Sequence, residues 1–278
     1  MSQITDIHLA EVLNSASQDD LAILVDHITD KGAGRIALAS DVCARLYAAA
    51  QRKELGDAEK TLIAEELQRY AGNTIMNIFR GGEGIPYREL LCDVATRFKI
   101  DVSPVESVAD IEMAIIKKVL IQSVDKMTPE EREEMAKQLG AKRVVGAGPI
   151  ASSALIALIR STGFAPYKLA AIVANAIARA LLGRGLSFAA TGTLMRGISV
   201  LSGPVGWAIT ILWASVDLAS PAYRITVPCV LQIAFMRQAA IVRLCSNCEG
   251  ELAQHAAFCM HCGTKVPDST WATEQAAA

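Results

Sequence analysis

The stretch RGISVLSGPVGWAITILWASVD, from Arg196 to Asp217, carries no charged residue between its two ends. It either crosses a lipid bilayer or forms the inside of a helical protein, and the fold follows from that choice. Gly197 to Val216 holds 20 residues, close to the ~20 that a bilayer core demands. Gly203-Pro204 splits it, however. From Val205 onward an unbroken helix has only about 12 to 16 residues, which suits a buried core helix or a re-entrant segment better than a clean span. Neighbouring segments are also charged too often for helices that face lipid. The expectation is a segment covered by protein, within a soluble or membrane-associated helical bundle.

Composition points the same way. Apolar residues make up 52% of the 278 and aromatic residues 5%, so the core is built from Ala, Leu, Ile and Val. Runs such as AAIVANAIARALL favour helix, because Ala and Leu lose little side-chain freedom there. Nine prolines and nineteen glycines collect at boundaries. The expected class is all-α.

Net charge is −2, but it is unevenly placed. Met1 to Arg143 holds 18 basic and 24 acidic residues, Val144 to Val242 holds 7 and 1, and the rest holds 2 and 4. This divides the chain into an acidic helical region (1–143), an apolar basic helical region (144–242), a small module (243–265) and a disordered tail (266–278). A basic half of this kind faces either anionic lipid or an acidic partner region of the same chain. MSQITDIHLAEV lacks the basic start and apolar core of a secretory signal. The cysteine pattern argues against a disulfide framework, so the cytoplasm is the expected compartment, with the inner-membrane surface as the other setting.

Helix starts are legible in the first half. TPEEREEMAKQLG places Thr128 as N-cap, Pro129 first in the helix and Glu131 three residues after the cap, with Gly140 as a stop. SPVESVADIEMAIIKKVL offers two starts, Ser103 with Glu106 and Ser107 with Asp110. Leu62, Ile63, Leu67 and Tyr70 recur at helical spacing. In APYKLAAIVANAIARALLG the polar Lys168, Asn175 and Arg179 share one narrow stripe, so the remaining surface is covered by something apolar. SPAYRITVPCVLQIAFMR starts at Ser220-Pro221 and is expected to kink near Pro228.

CSNCEGELAQHAAFCMHCG carries the strongest chemical signal. Cys245 and Cys248 form one C-x-x-C pair and Cys259 and Cys262 another. Two such turns aim four thiolates at one point, the tetrahedral set that zinc prefers. Four sulfurs leave no open position for a substrate water, so the zinc is structural and the module's folding depends on it. The segment resembles a short zinc ribbon, with Phe258 and Gly263 flanking the second turn, although Glu249 stands where a glycine often follows the first. No basic residue lies between Arg243 and Lys265, so nucleic acid is not the expected partner.

GNTIMNIFRGGEGIPYRELL is the other distinctive segment. Gly81, Gly82 and Gly84 lack the Lys and Ser/Thr of a phosphate-binding loop and follow a helix rather than a strand. They read as a tight helix–helix turn, with Arg80 and Tyr87 binding across it. Asp217, the lone acid of the apolar half, needs a partner, and Arg224 is the candidate. None of the four histidines sits in a setting that suggests a catalytic triad.

GNTIMNIFRGGEGIPYRELL, GFAPYKLAAIVANAIARALLGRGLSFAA and GPVGWAIT with ASPAYRITVPCVLQIA together resemble the YaaW-like bacterial family, grouped by similarity with the ubiquinol–cytochrome c chaperones. The likeness runs from about Asp20 to Arg237. It implies a helical, non-catalytic, chaperone-like protein, with the chaperone relation expected chiefly in the first half and the zinc module appended. The expected function is protein interaction or chaperone-like action on apolar or membrane-proximal clients. Oligomers and an anionic membrane surface are further expected partners. The alternative is a membrane-inserting or pore-forming helical protein shielded by its N-terminal half.

Overall fold

The computed structural model describes residues 3–35, 38–72, 84–138, 151–161, 166–186, 206, 223–248, 252 and 256–266. Within them the chain forms ten α-helices and no strand. These are α1 (Ile7–Ser15), α2 (Gln18–Thr29), α3 (Ser40–Arg52), α4 (Asp57–Gly72), α5 (Tyr87–Arg97), α6 (Val108–Lys126), α7 (Pro129–Gln138), α8 (Ser152–Ser161), α9 (Pro166–Leu182) and α10 (Tyr223–Ile241). The protein is mostly helical, with a small cysteine-bearing module at its C-terminal end.

Local chemistry sets the helix starts. Before α7 the Thr128 amide donates to the Glu131 carboxylate at 2.9 Å, and the Glu131 amide donates to the Thr128 hydroxyl at 3.2 Å. This reciprocal pair satisfies two amides that the first helical turn leaves without partners. Of the two starts in SPVESVAD, the second opens α6: the Asp110 amide donates to the Ser107 hydroxyl at 3.2 Å. Ser103 and Glu106 make a turn ahead of it, with the Ser103 amide on the Glu106 carboxylate at 2.8 Å.

α10 is the axis of the molecule. Ile225 to Gln238 are buried without interruption, as expected of a helix that is apolar on all sides. It packs against α1, α2, α4, α5, α6 and α9. Tyr167 of α9 lies beside Phe235 at 5.9 Å between ring centres, and Arg97 of α5 lies over the Tyr223 ring at 5.3 Å. The helix runs on through Pro228. α2 is enclosed as well, with Leu21 to Thr29 buried in sequence. One apolar core therefore takes residues from Leu9 to Met236, across the change of composition near Arg143.

α9 shows how the stripe of polar residues is used. Tyr167 and Leu169 to Ala178 are buried, and so is Asn175. Its side-chain oxygen accepts from the Leu186 amide at 2.9 Å as the chain folds back. That return needs Gly185, because a Cβ there would stand 2.6 Å from the same Asn175 oxygen.

Among the described residues, no helix is long and apolar enough to cross a membrane. Gly197–Val216 lies outside the described residues apart from Gly206. Gly206 is helical and faces α9: a Cβ on it would stand 3.6 Å from the Ala176 carbonyl oxygen.

Candidate functional site

After α10 the chain turns into the cysteine module. The Leu252 amide donates to the Arg243 carbonyl at 2.8 Å, and Phe258 and Lys265 form an isolated antiparallel bridge. The second turn closes through the Gly263 amide on the Cys259 carbonyl and the Cys259 amide on the Thr264 carbonyl, both at 2.8 Å. Gly263 sits at φ +72°, a conformation that costs glycine little. Asn247 of the first turn donates to the Thr264 hydroxyl at 3.0 Å and ties the two turns together.

The result is a cluster of four sulfurs, all within 4.8 Å of one another. Cys245 and Cys262 are 3.7 Å apart and Cys248 and Cys259 are 3.6 Å apart. A tetrahedron of sulfurs around zinc has edges of about 3.8 Å, given Zn–S bonds of about 2.3 Å. The donor set therefore fits a tetrahedral metal. Cys245 and Cys259 are buried, Cys248 half-buried and Cys262 exposed. The Thr264 hydroxyl, 3.1 Å from the Cys262 sulfur, is the main influence that draws this thiol down to about 5. The His261 amide, 3.4 Å from the Cys259 sulfur, adds a donor to the cluster.

A second constellation lies inside the helical core, and sequence reasoning did not single out its members apart from Tyr87. Glu112 of α6 is fully buried. It accepts from the Tyr87 hydroxyl and from Arg237 Nε, each at 2.9 Å. Arg237 also donates to the Glu11 carboxylate at 2.8 Å and to the His8 carbonyl at 3.1 Å. Four helices, α1, α5, α6 and α10, meet at this network. Burial pushes the Glu112 carboxyl up against the pull of Arg237, and burial with Glu112 beside it pushes the Tyr87 hydroxyl well up. Burial works against the Arg237 charge, but Glu112 more than offsets it and keeps the guanidinium charged.

A smaller network joins α2 to the end of α9. Arg184 Nε donates to the buried Asp26 carboxylate at 2.9 Å. Next to it His27 is fully enclosed, and burial, reinforced by Arg35 and Arg184, pushes its pKa down to about 3. Arg35 donates to the His27 and Ile28 carbonyls at the end of α2. The visible sequence signal for both networks was a lone charge within an apolar helical run: Glu112 in IEMAII, Arg237 in AFMRQA, Asp26 in ILVDHI. Such charges require partners, but only the fold names them.

The glycine-rich turn is partly described. Arg80, Gly81 and Gly82 lie outside the described residues. Gly84 lies against α4: a Cβ on it would stand 2.6 Å from Gln68 Cβ and 2.9 Å from the Gln68 carbonyl carbon. Its role is close approach of two backbones. The Tyr87 side chain points into the core network, and its amide donates to the Asp6 carboxylate at 2.7 Å. Arg224 is exposed at the start of α10, while Asp217 lies outside the described residues.

Residues 59–231 match the family model described as ubiquinol–cytochrome C chaperone. The chain belongs to that family. The match covers α4 to α9 and the first part of α10, so the chaperone relation extends well into the apolar half instead of resting chiefly on the first. The helices α1 to α3 and the cysteine module lie outside the matched residues. A UPF0174 protein of Helicobacter pylori (strain J99) is 42% identical over 176 residues, which are 63% of this chain and 69% of that one. A second from the same strain is 38% identical over 181 residues, 63% of this chain and 86% of the relative. The UPF0174 protein YaaW of Escherichia coli K12 is 31% identical over 179 residues, 64% of this chain and 70% of the relative. No solved structure matches.

Proposed function

We propose that this member of the chaperone family is a non-enzymatic holder of apolar protein segments. Its C-terminal four-cysteine module binds a structural zinc ion. The observation that carries the reading is the family match across 59–231, the helices that form most of the apolar core. The described networks are also spent on structure: Glu112 is occupied by Arg237 and Tyr87, and Asp26 by Arg184. Clients are then recognised by apolar surface rather than by a reaction.

The working compartment in this reading is the cytoplasm. The charge asymmetry between the halves finds a partner within the chain, because Arg184 and Arg237 of the basic half dock on Asp26, Glu11 and Glu112 of the acidic half. That favours intramolecular docking over lipid as the destination of the basic half. The module from Arg243 to Lys265 serves protein docking, since its one cationic residue beyond Arg243 is Lys265 and phosphate binding needs clustered cations.

The test is light scattering from a thermally unfolded reporter enzyme. Equimolar full-length protein should suppress its aggregation without nucleotide, and the reporter should be recovered in a complex with the chain. Unchanged scattering over a tenfold range of added protein would overturn the reading. For the metal, elemental analysis of the purified chain should find one zinc per molecule. Full zinc content in a variant lacking both Cys259 and Cys262 would overturn that assignment.

A further inference from the structure

We propose that α1 is a displaceable strap, and that the seat it occupies on α4, α5 and α10 is a docking site for an amphipathic client helix carrying a carboxylate. This rests on the client-holding reading above and names the surface and the chemistry of the client.

α1 differs from the helices around it. It is nine residues long and buries only Leu9, Val12 and Leu13, whereas α2 next to it is buried along nine consecutive residues. Its opposite face is open, with Ile7 73% exposed and the Glu11 side chain 71% exposed. Helices this short are marginal without tertiary support. Among the described residues, the seam between α1 and α4 opens into a cleft at each end. A cleft of about 670 Å³ separates Thr5 and Asp6 from Gln68 and Arg69. Another of about 610 Å³ separates Ala10 and Asn14 from Asp57 and Lys60. α1, like α2 and α3, lies outside the residues matched to the chaperone family.

Polar contacts latch the strap to its seat. The Asp6 carboxylate caps α1 through the His8 and Leu9 amides and accepts the Tyr87 amide at 2.7 Å. Arg237 reaches outward to Glu11 and the His8 carbonyl. The same guanidinium holds Glu112 on its inner side. When α1 leaves, Arg237 keeps its buried partner and offers its outer N–H groups to another carboxylate. An incoming helix with apolar residues spaced as Leu9, Val12 and Leu13, and an acid placed as Glu11, satisfies the seat as α1 does. α1 is thus an internal stand-in for the client, and its departure sets how much of the site is open.

The probe is a fluorescent synthetic peptide copying residues 3–17 of this chain, titrated into the full-length protein. Leu9→Ala in the protein weakens the strap and should tighten apparent peptide binding at least ~20-fold, because affinity scales with the open fraction. The same peptide with glutamine in place of its Glu11 should bind the opened protein several-fold more weakly. In the unaltered protein, amide hydrogen exchange along α1 should run well ahead of exchange along α2. The proposal fails if α1 and α2 exchange together, or if a folded Leu9→Ala protein binds the peptide no better than the parent. Either failure leaves the aggregation assay free to succeed, so the two readings are separable.

Discussion

His27 shows how one side chain writes itself into the stability of the molecule. Its pKa falls from 6.5 to about 3 in the fold because burial and the cations Arg35 and Arg184 disfavour its charged form. Between those values the unfolded chain binds a proton that the folded chain does not, so stability falls as pH drops from about 6.5 towards 3. The slope is about 1.4 kcal/mol per pH unit from this group. Glu112, Glu66 and Asp20 are shifted upward by burial and oppose it at lower pH. The difference between the parent and His27→Gln isolates the histidine. Denaturant titrations at pH 7 and 5 should show the parent losing about 1 to 2 kcal/mol more than the variant. Arg237 makes the complementary case. Arg237→Met strands a buried carboxylate and should cost about 3–5 kcal/mol, much of it recovered when Glu112→Leu is added. The lone charges of Asp26, Glu112 and Arg237 were visible in the sequence as exceptions within apolar runs. Their oppositely charged partners were not, since these lie between 125 and 226 positions away in the chain.

Individual elements were the most legible scale, because a cap is a local affair. The Thr128–Glu131 box stands as the spacing implied, and of the two starts offered near Ser103 the fold uses the one at Ser107. Gly84 was legible as a turn glycine, but its reason is tertiary: the α4 backbone fills the place of a side chain. Gly84→Ala should therefore destabilise the protein by about 1–3 kcal/mol in thermal or chemical melts, as overpacking does, and a neutral result would show that the contact yields. The cysteine spacing was legible because two C-x-x-C turns converge through local hydrogen bonds. Cys259→Ser should lower zinc content and disorder the module alone. Far-UV circular dichroism of the helices should stay within error, while amide protection across 256–266 is lost.

At the scale of the whole molecule the composition gave a change of character at Arg143 that the core does not respect. α10, from the apolar basic half, is enclosed by α1, α2, α4, α5 and α6 from the acidic half. Composition records which residues each segment contains, whereas packing depends on which faces meet, and the charge pairs across the two halves explain why opposite net charges suit one core. The family match covers most of this shared core and leaves out α1 to α3 and the metal module. The proposed function stands or falls on whether the matched helices hold the client. Hydrogen exchange, read by mass spectrometry on the full-length chain with and without the unfolded reporter enzyme, decides this. If they do, new protection appears within 59–231. Protection confined to the cysteine module, or an unchanged pattern in a complex that demonstrably forms, would contradict it.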